Sequence, residues 1–271
     1  MLPPFVTALW WQEHRDEVVL VDVRGGVDGQ RRYEAGHLAG AVLVELDRWL
    51  ASPASPEHGR HPLPSTAVFA EGLARAGVGD GTEVVAYDDV DGVFAARLVW
   101  MLRVTGRSAA LLDGGLRAGG PGLECTPTTR PRAQATVVPW PAAALAEASD
   151  VAAAGRAASG GVVLDARPRA RYLGAPDALD PRPGHVPGAR SLPCRDNLDG
   201  SGRLLPADVL RQRLLDAGVA WDTPVVSMCG SGVTACHTLL VLEHVGLGRG
   251  RLYPGSWSQW ASDPARPVAL A

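Results

Sequence analysis

Lysine is missing altogether: all 26 basic residues of the chain are arginine. With no lysine there is neither a Schiff-base amine nor a phosphate-loop lysine, and two large enzyme classes drop out. An excess of charge of one sign is missing too. Set against 29 acidic residues, the basic ones leave a formal net charge of −3, so no footprint for nucleic acid or an anionic membrane is expected. No apolar run is long enough to span a bilayer. The opening MLPPFVTALWWQEHRDE has no basic n-region, apolar h-region or small-residue cleavage site, so a soluble cytoplasmic protein is expected. Cysteine is scarce: Cys125, Cys194, Cys229 and Cys236 form no CxxC pair. Nor does Cys229 with Cys236 and His237 fit a common zinc spacing, so neither a disulfide framework nor a metal site is expected. What is plentiful is apolar sequence, 46% of 271 residues, enough for one large core or two ordinary ones.

The chain repeats itself once. Val18–Arg24 (VVLVDVR) recurs as Val162–Arg167 (VVLDAR), each an apolar run closing in Asp-x-Arg. Tyr33 before Gly36-His-Leu-Ala-Gly-Ala41 recurs as Tyr172 before Gly184-His-Val-Pro-Gly-Ala189, and Ala76-Gly-Val78 as Ala217-Gly-Val219. Gly106 and Gly246, and likewise Gly115 and Gly255, keep an offset of 140. So long a period means two homologous domains rather than a solenoid. Each copy alternates β-branched runs (Val84–Tyr87, Val225–Met228) with helical stretches (Phe94–Val104, Val233–Val245). That alternation predicts an α/β fold, each domain a parallel sheet with helices on both faces. The boundaries expected are 1–125 for the first domain, 126–145 for a Gly-, Pro- and Thr-rich linker and 146–271 for the second.

Ligands of open α/β sheets sit beyond the carboxyl ends of the strands. There the second copy carries Cys229-Gly-Ser-Gly-Val-Thr-Ala-Cys236, a cysteine delivered by a strand into a glycine turn that opens a helix. The glycines let successive N–H groups converge, and the helix start adds positive potential. Such a setting favours the thiolate and suits the anionic outer sulfur of a persulfide. Gly230, Gly232, Val233 and Thr234 are the loop residues expected around the bound sulfur, and Cys236 is expected to be core. The first copy has Asp88 or Asp89 where the cysteine would be, so only the second domain is expected to be catalytic.

These segments, with Val99-Trp-Met-Leu-Arg103, Asp113-Gly-Gly-Leu116 and Gly255-Ser-Trp257, closely resemble the tandem-domain rhodaneses, specifically the 3-mercaptopyruvate sulfurtransferase branch. The resemblance covers nearly the whole chain. CGSGVTAC is the wording of that branch, whereas thiosulfate-specific rhodaneses place cationic residues where Gly230 and Ser231 stand. A neutral loop suits a mercaptan monoanion better than the thiosulfate dianion. The resemblance further implies that Ser231, His61 and Asp47 form a hydrogen-bonded trio at a site between the domains. It also implies that Arg171 and Arg182 hold the donor's carboxylate and keto group. His37 and His185 recur in both copies and are expected to be structural. The sequence departs from the family at Pro254, where aspartate is usual, and at Gly119, where tryptophan is common; both positions are expected to affect packing alone.

The chemistry implied is a ping-pong transfer, with no cofactor or metal. Cys229 takes the sulfur of 3-mercaptopyruvate as a persulfide and passes it to a thiol such as thioredoxin or a low-molecular-weight thiol, or to cyanide. Thiosulfate:cyanide transfer by the same cysteine and a non-enzymatic sulfur-carrier or partner-binding module are the alternatives. A phosphatase of the Cys-x5-Arg type would need arginine at position 235, where the chain has Ala235.

Overall fold

The computed structural model describes residues 1–120, 122–156 and 160–270. They fall into two compact units. The first comprises Met1–Ser52, Leu63–Trp140 and Gly200–Leu204, and the second Pro53–Pro62, Pro141–Asp199 and Leu205–Ala271. Among the described residues no helix is long and apolar enough to cross a membrane.

In the first unit the described strands are β1 (Phe5–Val6), β2 (Val18–Arg24), β3 (Val42–Glu45), β4 (Glu83–Tyr87) and β5 (Ala109–Leu112). They pair in parallel in the order β1-β5-β4-β2-β3, with Leu20 opposite Val85 and Val85 opposite Ala110. Helices α1 (Ala8–Glu13), α2 (Gly29–Ala35), α3 (Thr66–Arg75) and α4 (Val93–Val104) flank the sheet. A sheet covered on both faces needs strands that are apolar throughout rather than alternating, and all seven residues of β2 are buried. Val18 and Leu20, Val85 and Tyr87, and Ala110 and Leu112 step by two along their strands and share one core cluster.

The second unit repeats this plan with β6 (Val162–Asp165), β7 (Arg190–Ser191), β8 (Val225–Met228) and β9 (Arg251–Leu252), parallel in the order β7-β6-β8-β9. Its helices are α5 (Ala148–Ala154), α6 (Arg169–Tyr172), α7 (Ala207–Asp216), α8 (Thr234–His244) and α9 (Ser256–Ser262). Leu145 bridges Leu252 at the position that β1 holds beside β5. The core gathers Val163, Val226, Met228, Tyr253, Trp257 and Trp260.

The repeated polar residues are structural in both units. Arg24 pairs with Asp22 and donates to Gly36 O, and Arg167 pairs with Asp165 and donates to Gly184 O. Each pair is buried and ties its strand, β2 or the end of β6, to the glycine that precedes His37 or His185. His37 stacks on Tyr33 at 3.9 Å and His185 on Tyr172 at 3.8 Å, each ring sharing a hydrogen bond with its tyrosine's carbonyl.

Two expectations shift. Gly115 matches Ser256 rather than Gly255: Leu116 N donates to Asp88 O at 3.0 Å as Trp257 N does to Cys229 O at 2.9 Å. Gly115 and Ser256 also share a left-handed backbone, φ 55° and 51°. Much of the stretch expected as a linker lies along the first unit. Arg132 pairs with Glu71, Thr136 with Asp80, and Trp140 Nε1 donates to Pro64 O.

Candidate active site

Cys229 follows the last residue of β8, at the carboxyl end of a central strand, and is 2% exposed. Its Sγ accepts the N–H of Gly232 at 3.1 Å, so the glycine turn folds back over the sulfur. Gly232 has φ +76°, and a Cβ there would stand 2.5 Å from Pro254 O, so no other residue fits. Gly230, also in the turn, accepts the N–H of Ser258 at its carbonyl. Val233 is buried just before α8, and Thr234, half-buried, opens that helix. Cys236 is fully buried in α8 and donates to Gly232 O at 3.3 Å, which bears out its reading as core.

The first turn of α9 braces this loop from behind. Ser256 Oγ accepts the N–H of Cys229 at 3.1 Å and donates to Tyr253 O at 2.8 Å, while Trp257 N holds Cys229 O. Sequence reasoning misses Ser256, because the Pro254-Gly-Ser-Trp departure reads as a matter of packing alone. The sequence offers only the recurrence of Asp113-Gly-Gly-Leu116 as Gly255-Ser-Trp257; that Ser256 takes the left-handed backbone of Gly115 shows in the fold alone.

The same turn seats a loop from far back in the chain. Residues 53–62 lie between β3 and α3 in sequence but belong to the second unit. Arg60 N donates to Ser258 Oγ at 3.0 Å, and Gln259 Nε2 donates to Glu57 O. Gly59, at φ +88°, comes so close that a Cβ would lie 2.6 Å from Gly255 O. Docking delivers His61, whose Nδ1 shares a 2.8 Å hydrogen bond with Ser231 Oγ. It also delivers Arg60, a residue the sequence did not single out. Its guanidinium reaches Leu179 O and the Asp180 carboxylate, and Nη2 faces Gly230.

Of the remaining expected residues, Arg171 is brought to the loop and Arg182 is not. Arg171, in α6, pairs with Asp177 and Asp180 at 2.5 Å each and stands beside Gly230. Arg182 is turned away to the far end of α9, donating to the carbonyls of Trp260, Ala261, Asp263 and Arg266 at 2.6–3.1 Å. Carbonyls left over at a helix C-terminus attract a cation, and here Trp260 and Ala261 of the last turn, the C-cap Asp263 and Arg266 beyond it all accept from one guanidinium. Asp47 belongs to the first unit, in a π-helical turn (Leu46–Leu50), where its Oδ2 accepts the N–H of Gly26 at 2.7 Å.

The first unit reveals what such a loop binds. Asp88, not Asp89, holds the position of Cys229. Its carboxylate accepts four backbone N–H groups, from Val90, Gly92, Phe94 and Ala95, at 2.7–2.8 Å. Burial pushes its carboxyl up to about 6 against the pull of those four donors. The turn is thus a cradle for a small anion.

Comparison with known proteins agrees with this geometry. The family described as Rhodanese-like domain matches residues 7–119 and again 147–263. A probable 3-mercaptopyruvate sulfurtransferase of Pseudomonas aeruginosa is 39% identical over 264 residues, covering 93% of this chain and 92% of that protein. A putative thiosulfate sulfurtransferase of Mycobacterium tuberculosis is 36% identical over 260 residues, covering 93% and 91%. The crystal structure of a 3-mercaptopyruvate sulfurtransferase from Escherichia coli superposes with a TM-score of 0.80 at 32% identity, covering 94% of this chain and 99% of that one.

Proposed function

Because the chain belongs to the rhodanese family, we propose that it is a sulfurtransferase that takes sulfane sulfur from 3-mercaptopyruvate onto Cys229 and passes it to a thiol. The observation that carries the reading is Cys229 Sγ under the Gly232 N–H, in the turn where the first unit cradles a carboxylate. The thiolate attacks the donor's sulfur, the carbon–sulfur bond breaks, and pyruvate leaves as its enolate. The donor's thiol proton passes through Ser231 and His61 to the enolate carbon, leaving pyruvate and a Cys229 persulfide anion. The N–H groups of Ser231, Val233 and Ala235, matching Val90, Gly92 and Phe94, hold that anion. A small thiol or a thioredoxin-type dithiol then takes the outer sulfur. Four cysteines without a disulfide suit a reducing compartment, and the cytoplasm is where we place the reaction.

Thiosulfate is the second reading, supported by the name of the mycobacterial relative and by two guanidinium groups beside Gly230. Asp177 and Asp180 offset those charges, which favours a monoanion over a dianion. Steady-state kinetics with both donors separate the readings: kcat/KM should be at least about tenfold higher with mercaptopyruvate. Equal or reversed values would make the protein a thiosulfate sulfurtransferase.

A further inference from the structure

The carboxylate of a keto-acid donor needs a partner close to the reacting sulfur, and Arg182 is engaged elsewhere. From sulfur to carboxyl carbon such a donor spans about 4 Å, so the group that binds its carboxylate must stand within a few ångströms of the Cys229 turn. A Cβ built on Gly230 would meet Arg60 Nη2 at 2.8 Å and the Arg171 Nη2 and Nη1 atoms at 3.6 and 3.7 Å. Two guanidinium groups therefore bracket the space over the residue that follows the nucleophile.

Both are held by one carboxylate. The Asp180 side chain is 3% exposed, and its oxygens are divided between Arg60 and Arg171. A carboxylate buried that deeply is tolerated because it is paired, and in turn it fixes both cations on one side of the catalytic turn. Arg60 is anchored through Nη1, on Leu179 O and Asp180, which leaves Nη2 on the side of the loop. Its backbone is fixed as well, through the bond from its N–H to Ser258. Asp180 and Leu179 come from the segment between Gly174 and Pro183 that the first copy lacks, so this arrangement is peculiar to the unit that carries the cysteine.

We propose that Arg60 binds the donor's carboxylate together with Arg171, with Asp180 as the counter-ion that orients the pair. The assignment rests on the mercaptopyruvate reading above. It makes Arg60 a residue of substrate selection, contributed by the loop that also brings His61.

The test compares two donors of one skeleton: mercaptopyruvate, and mercaptoacetone, which keeps the thiol and keto group but has methyl in place of carboxylate. Arg60→Ala should lower kcat/KM for mercaptopyruvate roughly tenfold or more, mostly through KM, and leave mercaptoacetone within about twofold. Arg60→Lys should recover part of the loss, since it restores charge without the planar fork. Arg60→Gln, which keeps most of the stem, is measured beside Arg60→Ala, so that misfolding of one variant leaves the other to decide. Equal losses on both donors would make Arg60 a structural residue, and no loss on either would leave it a bystander; each result overturns the assignment. A wild-type protein inert toward mercaptopyruvate but active with thiosulfate would instead remove the reading beneath it.

Discussion

Cys194, Cys229 and Cys236 are all buried, yet only Cys229 lies under a converging backbone turn. Burial pushes the Cys194 thiol up to about 12, with the charge of Cys229 adding to the effect, so it is held protonated. Cys229→Ser should therefore abolish transfer, while Cys194→Ser and Cys236→Ser keep most of it. Intact mass after donor treatment should show one added sulfur in every variant that retains Cys229; sulfur on Cys229→Ser would remove the nucleophile assignment. Ser231→Ala and His61→Asn should lower kcat with mercaptopyruvate by about two orders of magnitude. Thiosulfate has no carbon-bound thiol to deprotonate, so its turnover should change little; parallel losses would exclude a proton relay. Arg182→Ala removes several charge-assisted bonds at the end of α9, so stability should fall by about 1.5–3 kcal/mol while KM holds. A raised KM with an unchanged melting temperature would return Arg182 to the substrate. At this scale the sequence is legible where chemistry is local. Cys229 and its glycines announce themselves within eight residues. Arg60, Asp180 and Ser256 do not, because each acquires its role from a partner brought up by folding: Gly230 for Arg60, Arg60 itself, 120 positions back, for Asp180, and Cys229, 27 positions back, for Ser256.

The elements were readable because a parallel sheet covered on both faces demands continuous β-branched runs, and β8 spans the stretch the pattern predicts, Val225–Met228. Helix α8 is a residue shorter than α4 (Thr234–His244 against Val93–Val104), which lowers the offset between the copies to 140 at Gly106 and Gly246, and one extra residue before β9 restores it to 141, so that Gly115 meets Ser256 rather than Gly255. Conserved spacing of glycines cannot register such a change once the chain resumes its path. Docking of residues 53–62 was also hidden, since nothing in Pro53–Pro62 marks which sheet it will lie against. Helix α8 carries a prediction of its own. His237 is buried within it, and burial, with Arg195 adding to it, holds the imidazole down to about 4. In the unfolded chain a histidine titrates near 6.5. The unfolded state therefore takes up the proton first. Stability from keeping His237 neutral is complete above about pH 6.5 and is lost as pH falls toward 4. Denaturant titrations at about pH 7.5 and about pH 5 should differ by about 2 kcal/mol from this group, and the difference should shrink in His237→Gln. An unchanged pH dependence in the variant would assign the acid sensitivity to other groups.

At the scale of the whole chain, the two units exchange segments: residues 53–62 join the second and residues 200–204 join the first. A chain that begins at Pro141 therefore keeps Cys229 and its turn but lacks Arg60 and His61. It should still become persulfidated by a reactive donor, yet turn over mercaptopyruvate at least about a hundredfold more slowly than the full chain. Full mercaptopyruvate turnover by that fragment would show that the loop is dispensable. The duplication itself was legible in the paired Asp-x-Arg and Gly-His motifs, whose buried contacts recur in both units. Its other consequence lies in Asp88. For a chemist seeking an inhibitor of the second unit, that side chain is a lead compound already in place, a carboxylate on a one-carbon tether satisfying four amides. Small carboxylates that reach past Cys229 should compete with the sulfur donor. Conversely, exchanging Asp88 for cysteine would lift a blockade that the first unit carries in its own covalent structure.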